Sequence, residues 1–236
     1  MAQSPSPHKP TLRRMLQLCV ALCVAALLSA CASPSAQTPV APEPADLKLV
    51  MIGDSYSALV PDRGVTYPWP EQVRDAWGLS DEDCSIYRHG GYGFGLPSGH
   101  FVDLVADVSP DPDVTHVIVL GGAGNDRGLP KEEALKWYRA TFDRLRELYP
   151  NAILMHTVTS WDLKDTAYQA KILERIPWYE ETAAQMDVVF LHGCETVLRD
   201  HPEYFLSDGR HPNQAGQEAM GAAIIEALRA TGTFPA

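Results

Sequence analysis

The sequence predicts a three-layer α/β/α domain built on a five-stranded parallel sheet. Three observations carry that expectation. From Asp46 onward, short apolar runs alternate with longer segments of helical spacing. The apolar runs are bounded by Gly, Asp or Pro, as buried strands are. Hairpin signals between them are scarce, so successive strands must run parallel and be joined by crossing helices on both faces.

The elements follow in order. Leu47–Ile52, Ser85–Tyr87, His116–Leu120, Ala152–His156 and Val188–Leu191 read as strands. Pro70–Trp77, His100–Val108, Lys131–Tyr149 and Lys164–Met186 read as the helices between them, and Gln214–Ala230 as a closing helix. The helix over 131–149 is the clearest. Leu135, Tyr138, Phe142, Leu145 and Leu148 recur at three and four residues, and Pro150 stops it. With no internal repeat and no second linker, residues 46–236 read as one domain.

The 45 residues in front are of a different kind. Residues 1–14 are polar and end in Arg13-Arg14; residues 15–30 are almost continuously apolar. Sixteen residues rise about 24 Å as a helix, short of the roughly 20 residues that span a bilayer. A basic start, a short apolar stretch and small residues at its end predict a secretory leader over 1–30. Leu28-Ser29-Ala30-Cys31 resembles a bacterial lipobox, which implies acylation of Cys31. Residues 32–45 (ASPSAQTPVAPEPA) then have the composition of an extended tether. The expectation is an exported lipoprotein held to a membrane by its lipid alone and facing the extracytoplasmic side.

Charge excludes one class of partner. The whole chain has 19 Lys and Arg against 30 Asp and Glu, but Lys9, Arg13 and Arg14 fall in the leader, which has no acid. Beyond Ala30 the balance is 16 against 30, a net −14. Such a surface repels phosphate backbones, so nucleic acid is not an expected partner. Neutral substrates are favoured unless Arg127 or its neighbours make a local exception.

In parallel α/β sheets, ligands bind beyond the carboxyl ends of the strands. Gly53-Asp54-Ser55 follows the first strand, and a run of glycines from Gly90 to Gly95 follows the second. Gly121-Gly122-Ala123-Gly124-Asn125-Asp126 follows the third, and Asp208-Gly209-Arg210-His211-Pro212 comes after the fifth. A serine, a histidine and an aspartate at one rim suit acyl transfer. The hydroxyl needs a base to take its proton as it attacks, and the base needs a carboxylate to fix its tautomer. Asp208 and His211, three apart across a glycine turn, can face one pocket. Backbone N–H groups of glycine loops, with the Asn125 amide, can stabilise the oxyanion that develops. The other histidines of the domain show no metal-ligand spacing, and neither metal nor cofactor is expected.

These four segments, in this order, resemble the SGNH/GDSL hydrolase family over residues 46–236. The resemblance implies Ser55 as nucleophile, Asp208 and His211 as the acid and base of the triad, and Ser55, Gly93 and Asn125 as oxyanion donors. One departure stands in the third segment, where the family has glycine two residues before the asparagine and this chain has Ala123. The resemblance also implies the flavodoxin-like strand order 2-1-3-4-5. That order puts Cys84 and Cys194 at opposite edges of the sheet, so free thiols are expected.

The function expected is a serine esterase or deacylase acting on short, acetyl-like esters of small molecules or of envelope or extracellular glycans, as a monomer. The same site would serve an O-acyltransferase, which passes the acyl group to a sugar hydroxyl instead of water. A glycan-binding surface lipoprotein without turnover is the alternative from another class.

Overall fold

A computed structural model describes residues 46–96 and 99–235. The expected leader over 1–30, the lipidation at Cys31 and the tether over 31–45 lie outside the described residues. Five strands form one parallel sheet: β1 Leu49–Gly53, β2 Cys84–Arg88, β3 His116–Leu120, β4 Ile153–Thr157 and β5 Val189–Phe190. Their order is β2-β1-β3-β4-β5, as expected. Among the described residues there are four α-helices, α1 Trp69–Ala76, α2 Lys131–Leu148, α3 Thr166–Gln185 and α4 Gln214–Ala230.

Alternation along each central strand divides the core into two layers. Val50 and Ile52 of β1, with Val117 and Val119 of β3, join Tyr138, Phe142 and Leu145 of α2 and Ile172 and Tyr179 of α3. Leu49, Met51, Ile118 and Leu120 face the other way, onto Trp69 and Val73 of α1 and Met220, Ile224 and Leu228 of α4. Both central strands are therefore buried on both faces, which is why they read as unbroken apolar runs. Helix α3 continues through Pro177. The carbonyl that the proline leaves without its helical donor belongs to Leu173, an exposed residue, where water can serve instead.

One expected helix is absent. Over His100–Val108 only a 3-10 turn forms, at Phe101–Val105. The N–H groups of Asp103, Ala106 and Val108 bond back three residues, to His100 O, Asp103 O and Val105 O, and Ser109-Pro110 disfavours helical backbone just beyond Val108. Cys84 opens β2 and Cys194 follows β5; both are buried free thiols.

Register sets the site. Gly53 pairs with Arg88 on one side and with Leu120 on the other, and Leu120 pairs with Thr157. Four strands thus end level, and the loops that carry the predicted site residues leave from one edge.

Candidate active site

Ser55 opens a 3-10 turn, Ser55–Ser57, directly after β1. The chain can turn there because residue 53 has no side chain: a Cβ at Gly53 would lie 1.9 Å from Ser57 Oγ. Asp54 caps the turn, its Oδ1 accepting the Tyr56 N–H (2.9 Å). Behind it, buried Gln217 of α4 accepts the Trp69 N–H (3.0 Å) and donates to Tyr56 O (2.9 Å). The Trp69 indole donates to Ser57 Oγ (3.0 Å). The turn that carries Ser55 is therefore held from three directions.

The loop before α4 brings the base to it. Phe205 and Pro212 form an antiparallel bridge, and Leu206 N–H donates to His211 O (2.8 Å), so residues 206–211 close a tight loop. Asn213 caps α4 through the Gly216 N–H (3.0 Å), fixing where this loop must end. Within the loop, Asp208 Oδ1 accepts the backbone N–H groups of Arg210 and His211, each at 2.9 Å. Its Oδ2 lies 3.0 Å from His211 Nδ1, and His211 Nε2 lies 3.1 Å from Ser55 Oγ. Both are hydrogen-bond distances. Ser55, His211 and Asp208 stand in one continuous relay.

Two groups that sequence reasoning passed over hold this relay together. The Arg63 guanidinium, from the turn at Pro61–Arg63, sits 2.5 Å from Asp208 Oδ2. Partial desolvation alone would push the Asp208 carboxyl up. The Arg63 guanidinium, the two backbone N–H groups and His211 outweigh that and hold the carboxyl well below the usual carboxylate range. Tyr56, next to the serine, crosses to the other loops. Its hydroxyl lies 2.5 Å from Arg210 O and 2.7 Å from Trp161 O, and it accepts the Trp161 N–H (3.1 Å). Leucine at this position would cut the tie between the Ser55 turn and the His211 loop. Side-chain identity hinted at neither role, because the partners lie more than a hundred residues away.

The oxyanion side differs from expectation. Asn125 reaches the cleft, at the start of a 3-10 turn after β3, and Ala123 beneath it is fully buried. The Asn125 amide donates to Asp54 Oδ2 (3.1 Å) and to Tyr92 O (2.7 Å), which occupies both its hydrogens. Gly93 does not face the cleft. Its N–H donates to Gly99 O (3.3 Å), and a Cβ there would lie 2.4 Å from Asp126 Oδ1. The reason is Asp126, which takes the N–H groups of Phe94 (2.8 Å) and Gly95 (3.2 Å) and draws that half of the loop into the core. The glycines left at the cleft are Gly90 and Gly91. A Cβ on Gly90 would stand 3.7 Å from that of Ser55.

Two buried acids lie under this floor. Burial pushes Asp54 up to about 7, against the pull of the Tyr56 N–H and with help from the charge of Asp126. Burial likewise pushes Asp126 up to about 6, against the pull of the Phe94 and Gly95 N–H groups.

The cleft above is open and small, about 260 Å³, lined by Ser55, Gly90, Gly91, Asn125, His211 and, on its far wall, Arg127, Tyr168 and Arg210. An activated serine in such a cleft can attack an ester carbonyl held over it.

The chain is 29% identical over 188 residues to a GDSL lipase of Mycobacterium tuberculosis, covering 75% of this chain and 79% of that one. Among solved structures it resembles a family two carbohydrate esterase from Clostridium thermocellum in complex with cellohexaose. That likeness has a TM-score of 0.61 at 16% identity, over 81% of this chain and 66% of the other. It also resembles an extracellular lipase from Streptomyces rimosus, with a TM-score of 0.55 at 14% identity, over 78% and 99%. At such identities the likeness is one of fold. Residues 51–219, which include all four strand-end segments and the Ser55–His211–Asp208 relay, match the GDSL-like lipase/acylhydrolase family. The chain belongs to that family, and it is a carboxylic ester hydrolase.

Proposed function

We propose that the chain is a serine esterase or deacylase that removes short, acetyl-like acyl groups through a Ser55–His211–Asp208 triad. One observation carries the reading: His211 lies within hydrogen-bond distance of both Ser55 Oγ (3.1 Å) and Asp208 Oδ2 (3.0 Å), at the edge of an open cleft. In the first half-reaction Ser55 Oγ attacks the ester carbonyl as His211 Nε2 takes its proton. The C–O bond to the alcohol breaks, His211 returns the proton to the leaving oxygen, and an acyl-serine remains. Water then attacks that acyl group, with His211 again as base, and the acid leaves with Ser55 restored. Asp208 keeps Nδ1 protonated and stabilises the imidazolium.

The oxyanion needs donors. The Ser55 N–H is the first of its turn and so has no acceptor within it. Asn125 serves once its amide exchanges one of its two present acceptors for the substrate oxygen. Gly90-Gly91 offer a backbone wall without a side chain to block approach.

A cleft of about 260 Å³ favours short acyl groups over long chains. The leader-like start, the Cys31 lipobox and the proline-rich segment support an exported, lipid-anchored enzyme, for which acylated envelope or extracellular glycans are the substrates within reach. The test is labelling by a fluorophosphonate together with turnover of p-nitrophenyl acetate. The intact protein should do both and Ser55→Ala neither; unchanged turnover in the variant removes the reading.

A further inference from the structure

Cation excess in the cleft stands out against the acidity of the domain. Arg210 also lines the cleft, and its charge is answered: its Nε and Nη2 sit 2.6 and 2.5 Å from Asp162 Oδ2. Arg63 is answered by Asp208. Arg127 is not. Among the described residues it makes no ion pair, and its one hydrogen bond runs from Nη1 to a backbone carbonyl, Gly124 O (3.0 Å). Its guanidinium lies 5.0 Å from the centroid of the Tyr168 ring, a cation–π distance. The Arg210 guanidinium lies 4.9 Å from the same centroid.

These contacts hold Arg127 in place without neutralising it. A guanidinium has five N–H donors. One is used in a hydrogen bond. What remains is a fixed, charged fork on the wall of the cavity that also holds Ser55 and His211. In the adjoining depression, which shares Arg210 and His211 with the cleft, Lys164 stands among Asp162, Asp165 and Asp208 and adds no net positive charge, so the uncompensated cation is Arg127. The Lys164 ammonium donates to two backbone carbonyls, Ser207 O (3.0 Å) and Asp208 O (3.1 Å).

The geometry points to an anion-recognising subsite: Arg127 binds an oxyanionic group, carboxylate or phosphate, carried by the ester whose carbonyl Ser55 attacks. Bidentate pairing of guanidinium with carboxylate or phosphate is the strongest contact such a fork makes. The overall negative charge does not oppose it, since that charge repels extended polyanions from a distance while a single anion in the cleft meets cations first. For a glycan substrate this selects acylated acidic sugars over neutral ones. The inference rests on the esterase reading above.

The test compares matched esters. One pair sets the p-nitrophenyl monoester of succinic acid against p-nitrophenyl butyrate and puts the anion on the acyl side. The other sets 4-acetoxybenzoate against its methyl ester and puts the anion on the alcohol side. In at least one pair the intact protein should favour the anion by roughly tenfold in kcat/KM, and Arg127→Gln should lower that ratio by a similar factor. Arg127→Glu should invert the preference. The pair that responds tells which side of the ester faces Arg127. A ratio is read within one protein, so a general loss of activity in a variant does not imitate the effect. No anion preference in either pair, or the same ratio in Arg127→Gln as in the intact protein, overturns the inference. If neutral esters are still cleaved through Ser55 in that case, the esterase reading stands; turnover that survives Ser55→Ala sinks the esterase reading instead.

Discussion

Arg63 and His211 share one oxygen of Asp208. The guanidinium of Arg63 lies 2.5 Å from Oδ2 and the imidazole Nδ1 of His211 lies 3.0 Å from it, while Oδ1 is taken by two backbone N–H groups. Asp208 is thus held in one orientation by partners on both oxygens, and the acid of the proposed triad has a cation of its own.

That arrangement predicts a positioning role for Arg63. Replacing it with glutamine removes a positive charge that stands close to the imidazolium formed during turnover. The imidazolium then forms more easily, so the acid limb of the kcat/KM profile should move to higher pH. A fall of roughly two- to fivefold at pH 6 is expected, since exposed pairs of this kind contribute at most about 1 kcal/mol. Arg63→Lys should recover part of the lost rate. A pH–rate profile identical to that of the intact protein would show that Arg63 is ornamental to the triad.

Asp208→Asn tests the acid directly. Asparagine can still accept the two backbone N–H groups through its oxygen, so the loop should keep its shape. Its amide nitrogen would then face Arg63 and the Nδ1–H of His211, donor against donor, and the wrong tautomer would be favoured. Loss of kcat by roughly a hundredfold to ten-thousandfold is expected, with near-native circular dichroism. A variant that retained more than half its activity would show that Asp208 does not orient His211.

Tyr56→Phe probes the tie between the serine turn and the histidine loop. The ring is buried, and removal of its hydroxyl leaves the Trp161 N–H and two carbonyls to find new partners. Unsatisfied buried polar groups cost about 1–3 kcal/mol. Denaturant unfolding should show a loss in that range, and kcat should fall as Ser55 and His211 lose their common brace. Equal stability of the two proteins would mean that water replaces the hydroxyl without loss.

How far the sequence could be read follows from the range of each interaction. Ser55, Asp208, His211 and Asn125 were legible because each is a chemically distinctive side chain placed directly after an apolar run or at a short fixed spacing. Strand order was legible from parallel topology and family resemblance together. Gly93 was not, because a loop rich in glycine offers no local mark of which N–H faces the cleft. Its orientation is decided by Asp126, some thirty residues on. Arg63 was invisible for the same reason at longer range: an arginine in a surface turn carries no sign that its partner is 145 residues away. The His100–Val108 segment had helical spacing, but its N–H groups bond back three residues instead of four and Pro110 follows closely. At Gly93 and Arg63 a tertiary contact overrode the local pattern.

Buried histidines and buried acids predict opposite responses of stability to pH, and one substitution separates them. Burial lowers His116 and His156 to about 4 from an ordinary 6.5. Folded, they stay neutral while the unfolded chain takes up protons, so each withdraws stability as pH falls from 6.5 towards 4. Asp54 and Asp126, raised to about 7 and about 6, act the other way. Their contribution is fully present below about 4 and is lost as pH rises through those values. Between pH 4 and 6 the two effects largely offset each other, and the intact protein should show a shallow dependence. His156 lies among Phe94, Tyr138 and Tyr179, with only its Nε2 bonded, to Gly121 O (3.1 Å). A phenyl ring can occupy that aromatic site, and the lost hydrogen bond costs the same at every pH. His156→Phe should therefore become more stable relative to the intact protein as pH falls. The gain between pH 7 and 4.5 should be about 2–3 kcal/mol, from about 1.4 kcal/mol per pH unit for one group. Urea unfolding of both proteins at the two pH values measures it. A difference that does not change with pH would mean that His156 is protonated in the folded state, and that the space beside its Nδ1 admits water.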